Sequence, residues 1–104
     1  MTTTDPFNTP QPRRETVLET ARQAIGGDRQ RDYGDPEPGF TTAGRIIAAV
    51  LGVEEVTAEQ VALIAIALKI SRLKNTPNHA DSWVDIAGYA ALGGEVASMP
   101  GRHI

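Results

Sequence analysis

Residues 57–73 read Thr-Ala-Glu-Gln-Val-Ala-Leu-Ile-Ala-Ile-Ala-Leu-Lys-Ile-Ser-Arg-Leu, and the fold turns on how this stretch is read. Thr57 followed three residues later by Gln60 matches a capping box, in which hydroxyl and amide satisfy backbone groups that a helix start leaves without partners. The helix it opens should continue to about Leu73. From 61 to 68 every residue is apolar, so no polar side is left for solvent and neighbouring elements must cover this helix from several directions. It is expected at the centre of the molecule. Its eight apolar residues fall far short of the roughly 20 that span a bilayer. A buried core helix is predicted, and no membrane association.

The connection 74–80 is short and contains Pro77, which makes the next helix an antiparallel neighbour. That helix should start near Asp81 or Ser82 and reach about Val96, before Pro100. Its small residues Ala87, Gly88, Ala90, Ala91, Gly93 and Gly94 permit close backbone approach, although the glycines weaken the helix in isolation. Upstream, a helix over 40–51 would turn Phe40, Ala43, Ile47 and Val50 or Leu51 inward, with Gly44 as its weak point and Gly52 as its stop. Residues 28–39 are polar and include Gly34, Pro36, Pro38 and Gly39, the punctuation of a structured loop. Over 13–25, Val17, Leu18, Ala21, Ala24 and Ile25 recur at helical spacing between Glu15, Glu19, Arg22 and Gln23, and Gly26 with Gly27 ends the helix. No strand alternation competes anywhere. The expected fold is all-α, a compact four-helix bundle over 13–98, with a short tail at 99–104.

Residues 1–12 carry Thr2, Thr3, Thr4, Thr9, Pro6, Pro10 and Pro12, a composition with little to bury, and read as a flexible Pro/Thr-rich N-terminal arm. They lack the apolar core of a signal peptide, so a cytoplasmic protein is expected. With 104 residues, 40% of them hydrophobic, the chain can build one core and not two. A nearly all-apolar helix in so short a chain needs more cover than three companions provide, and a homo-oligomer is expected. The net charge of −3 is mild and both signs are scattered, which argues against nucleic acid as a partner. No cysteine is present, so any metal must be held by oxygen or imidazole.

Asp81 and Asp85 stand one helical turn apart, where two carboxylates repel each other and call for a nearby cation. Mg²⁺ is one answer, since it is commonly held by one or two carboxylates with water and phosphate oxygens. The other is structural, because acids in a first turn complement the helix dipole and Ser82 with Asp85 forms a near capping box. Lys69 and Arg72 share a face of the apolar helix. They either pair with the aspartates across the short connection or point into a pocket and meet phosphate oxygens. His79 beside the aspartates is an ordinary loop residue, a ligand or a general acid. In the loop, Tyr33 and Gly34 sit in a compact turn around Asp32, Asp35 and Pro36. That turn needs no ligand, yet Tyr33 is suited to stack on a base while Arg29 or Arg31 meets a phosphate. Trp83, Tyr89 and Phe40 are read as core or interface anchors. Glu15 and Glu19, with Arg14 and Arg22, read as a solvated helix face. A phosphate-cradling glycine loop, a histidine pair at zinc spacing and a serine nucleophile elbow are all missing from the sequence.

Residues 31–40, the run 61–73 ending in Lys-Ile-Ser-Arg-Leu, and above all Asp81-Ser-Trp-Val-Asp-Ile-Ala-Gly-Tyr-Ala-Ala-Leu-Gly93 resemble an uncharacterised bacteriophage and prophage family, the domain of unknown function DUF6378. The likeness covers about two thirds of the chain. That family in turn looks like a reduced version of the all-α MazG-like nucleotide pyrophosphohydrolases, in which acids on adjacent helices hold Mg²⁺ against a nucleoside triphosphate. The resemblance implies a metal-binding and catalytic role for Asp81 and Asp85. It departs on the earlier helix, where the enzymes carry a pair of glutamates and this chain offers only Glu59, with Gln60 where the phage family has an aspartate. Three functions follow as expectations. The first is a hydrolase that releases pyrophosphate, with Lys69, Arg72, His79, Arg31 and Tyr33 binding the nucleotide. The second is a non-catalytic module that sequesters a nucleotide or binds a host protein. The third is a phage structural or assembly protein whose arm docks on a neighbouring subunit, the setting in each case being the infected or lysogenic cell.

Overall fold

The computed structural model describes residues 13–26 and 36–99, and four helices account for most of them: α1 (Arg14–Gly26), α2 (Pro36–Leu51), α3 (Ala58–Asn75) and α4 (Ala80–Ala97). No strand occurs among the described residues. The principal packing is α3 on α4, with α1 against α4 and α2 against α3, so the all-α bundle is spaced α1, α4, α3, α2. Lys69 meets Asp85 while Ala62 meets Gly93, which makes α3 and α4 antiparallel. No helix among the described residues is long and apolar enough to cross a membrane. The expected N-terminal arm, the tail beyond Met99 and the turn around Tyr33 lie outside the described residues.

Local chemistry sets the helix ends. At α3 the capping box is complete: the Gln60 N–H donates to Thr57 Oγ1 at 3.2 Å and the Thr57 N–H to Gln60 Oε1 at 2.8 Å. At the end of α2, Gly52 adopts φ +71°, and Val53 N–H reaches back to the Ala48 carbonyl at 3.1 Å. This is a Schellman closure, in which a residue without Cβ takes the left-handed conformation. The start of α2 differs from the expected one. The helix begins at Pro36, inside the stretch read as loop, because a proline in a first turn lacks only an N–H that had no partner there.

The interior is made of small residues. Ala21, Ala48, Ala58, Ala62 and Ala80 are buried, with Val61, Leu73, Val84 and Val96 as the larger members. Small side chains let backbones approach. A Cβ on Gly93 would stand 2.9 Å from the Ala62 Cβ, and one on Gly44 would run into the Val56 carbonyl. Gly44, a weak point by propensity, is therefore required where α2 passes the turn before α3.

Two expectations are corrected by this arrangement. Val50 or Leu51 is expected inward, yet they are 79% and 63% exposed, because α2 turns Gly44 and Ala48 toward its neighbours instead. And α3, although it lies between α4 and α2, is left open along the rest of its surface. Leu63 is 62% exposed and Leu68 68%, with Ile64 and Ile70 also in solvent.

Candidate functional site

The close Ala62–Gly93 approach holds α3 and α4 near enough for short-range polar contact along their facing sides. Two turns further along α3, Lys69 Nζ lies 2.8 Å from Asp85 Oδ2, with side chains 21% and 41% exposed. Partial exposure lets water compete, so the pair adds at most about 1 kcal/mol to stability. It does fix the lysine head at the side of an open concavity of about 660 Å³ along the C-terminal half of α3. Lys69, Arg72, Ser71, Asn75, Thr76 and Tyr89 supply its polar lining, and Ala65 and Leu68 its apolar wall.

This set of groups has a definite chemical bias. Two cations, two hydroxyls, a carboxamide and a phenol face one space, and among the described residues no carboxylate lines it. Such a lining suits an anion with an attached flat or apolar portion. Arg72 also has a structural role available, as a cation in the last turn of α3 that complements the helix dipole.

Asp81 lies exposed in the first turn of α4, one turn before Asp85. The start of that helix is capped otherwise than expected. His79 is its N-cap, with Nδ1 accepting from the Ser82 N–H at 3.3 Å and 2.8 Å from Ser82 Oγ. Ser82, expected to open a capping box with Asp85, is instead fully buried in the first turn. Since Nδ1 already accepts a backbone N–H, the consistent tautomer carries its proton on Nε2, the nitrogen left to face other partners. Trp83 packs over the preceding turn and donates Nε1–H to the Pro77 carbonyl at 2.8 Å.

Among the residues singled out in the sequence, Lys69, Arg72 and Asp85 are brought together, and Asp81 and His79 stand at the start of the same helix. Arg31 and Tyr33 lie outside the described residues. Tyr89, read as an anchor, lines the concavity one turn beyond Asp85, and Ser71, Asn75 and Thr76 were not foreseen there. The usable signal was register, because 81, 85 and 89 fall on one stripe of α4. Among the described residues no three Asp, Glu or His side chains converge, so a metal cage built wholly from them does not fit. On α1, the Arg22 guanidinium binds both oxygens of Glu19, at 3.0 and 2.6 Å, and Gln23 adds a further bond at 3.0 Å. These contacts form an exposed polar face on a helix that lends no described residue to the concavity.

Comparison with known proteins bears on this arrangement of helices. The chain is 38% identical over 76 residues to the Gene 55 protein of Mycobacterium phage D29, an alignment covering 73% of this chain and 50% of that protein. The Gene 55 protein of Mycobacterium phage L5 is 39% identical over 77 residues, covering 74% and 49%. The chain thus spans about half the length of the curated relatives it matches. No solved structure gives a significant match. Residues 16–97, from α1 to the end of α4, match the domain of unknown function DUF6378, and the chain belongs to that family.

Proposed function

We propose that this phage-type protein binds a nucleoside triphosphate in the concavity beside α3 and α4 without turning it over, as a degenerate relative of the MazG-like pyrophosphohydrolases. The observation that carries this reading is the meeting of Lys69 and Arg72 with the Tyr89 phenol in one open space that no carboxylate of the described residues lines. Cations with Ser71, Asn75 and Thr76 donors suit phosphate oxygens, and an aromatic ring suits the face of a base. In this reading Arg31 and Tyr33 add a further phosphate contact and a second stacking surface.

Binding is favoured over hydrolysis because the carboxylates are few and one is engaged. Asp85 neutralises Lys69, and no third acid or histidine joins Asp81 and Asp85 among the described residues. Mg²⁺ enters with the triphosphate, as its counter-ion, and Asp85 would meet it only by leaving Lys69. No chemical step is assigned to it.

Calorimetric titration with a panel of ribo- and deoxynucleoside triphosphates, with and without Mg²⁺, tests the proposal. A dissociation constant in the micromolar range is expected for at least one nucleotide, weakened about tenfold or more in Lys69→Ala and in Arg72→Ala as charge-assisted bonds are lost. Absence of binding at millimolar nucleotide would reject it. Release of pyrophosphate that needs Mg²⁺ and disappears in Asp85→Asn would show an active hydrolase instead.

A further inference from the structure

The exposed side of α3 carries Leu63, Ile64, Ala67, Leu68 and Ile70, which fall on adjacent helical stripes. Between Gln60 and Arg72 the solvent-facing positions of this helix bear no charge. At their observed exposures the four large aliphatic side chains present about 450 Å² of apolar surface, within the range of the largest patch a monomer usually shows. Such a stripe on a helix whose opposite side is already packed calls for an occupant.

We infer that a second copy of this chain covers it, with α3 of each copy crossing its counterpart antiparallel about a twofold axis at Ala67. Three observations favour a second copy over other occupants. First, the stripe is self-complementary about Ala67: reversing α3 onto itself sets Ile64 against Ile70 and Leu63 against Ser71, with the smallest side chain at the crossing, where backbones must come closest. Secondly, pairing two stripes hides up to roughly 900 Å² of apolar surface, comparable at most with the apolar share of a standard interface of roughly 1,600 Å². Thirdly, the segments 1–12, 27–35 and 100–104 contain only Met1, Phe7, Tyr33 and Ile104 as large apolar or aromatic side chains, and so offer the stripe few groups of its own kind. An uncharged stripe also offers nothing that would select a charged partner. Leu68 and Ser71 belong both to this face and to the lining of the concavity, so the partner would stand at its mouth. The inference does not depend on what the concavity binds.

Light scattering of the whole protein at tens of micromolar gives the first readout, with a dimer expected and a monomer overturning the inference. Leu63→Glu with Ile70→Glu is expected to yield a monomer that keeps its helical circular dichroism, because both side chains stand in solvent in the single chain. A dimer that persists in this double variant would place the interface elsewhere and reject the proposal. Should the variant unfold, Ala67→Cys decides. The chain has no other cysteine, so mild oxidation should join two copies rapidly through position 67, while Gln23→Cys on the exposed face of α1 should not react faster than free diffusion allows. Equal rates for the two cysteines would overturn the twofold arrangement.

Discussion

On the side of α3 that meets α4, Ala58, Ala62 and Leu73 are buried and Gly93 comes into contact with Ala62, whereas on the opposite side Leu63, Leu68 and Ile70 stand in solvent. Hydropathy alone would give the reverse, because the larger aliphatic residues gain more from burial. The difference teaches that this bundle is ordered by how near two backbones can come. Alanine and glycine allow α3 and α4 to approach, and the large side chains are displaced to the outer side, where they remain for another surface.

The same residue type on the two sides offers the sharpest way to break that contrast. Leu73→Ala empties a buried position and should cost about 2–5 kcal/mol in urea unfolding. Leu63→Ala, measured where the protein is dilute enough to be monomeric, should stay within about 0.5 kcal/mol. Equal costs would mean that the outer side is covered within one chain. Close approach itself is tested next. Gly93→Val puts a branched side chain where even a Cβ would sit 2.9 Å from Ala62, and a loss of about 1–3 kcal/mol is expected. Combining it with Ala62→Gly should recover part of that loss, and an additive pair would show that the two positions do not share the space.

These contrasts also explain what could be read from sequence. The capping box at Thr57 was legible because both bonds lie within four residues of chain. Gly52 was legible for the same reason. The covered side of α3 was not, since a run with no polar position has no periodicity to give its orientation away. Hydropathy points Val50 or Leu51 inward, while Gly44 and Ala48 hold the inner positions through size. At the site, the meeting of Lys69 with an aspartate of α4 followed from opposite charges on antiparallel neighbours. Tyr89, Asn75 and Thr76 depend on the relative rotation of the helices, which sequence spacing does not specify. His79 escaped notice as a cap because Ser82 and Asp85 offered a more familiar pattern.

A smaller effect separates helix initiation from packing. Thr57→Ala removes the hydroxyl that accepts the Gln60 N–H and should lower stability by about 1 kcal/mol, without changing which side of α3 is covered. Thermal melts of the variant would check the size. Unchanged light scattering would check that cap and outer face act independently.

The smallest effect belongs to α1, which touches neither side of α3 closely in the packing order and so serves as a reference. Bonds from Arg22 first and Gln23 second hold the Glu19 carboxyl below the usual carboxylate range, and the same contact raises Arg22, which stays charged throughout. A carboxyl whose folded value is depressed stabilises the fold fully above its unfolded value of about 4.3, and the contribution fades as pH falls through the folded value. Glu19→Gln should therefore lower the thermal midpoint slightly at neutral pH and leave it unchanged once acid has protonated Glu19 in the parent protein. Added salt should shrink the neutral-pH difference, because both partners are in water. If this exposed pair mattered as much as Leu73, charge on the helix surfaces and not the approach of α3 to α4 would govern stability, and the contrast between the two sides of α3 would lose its energetic meaning.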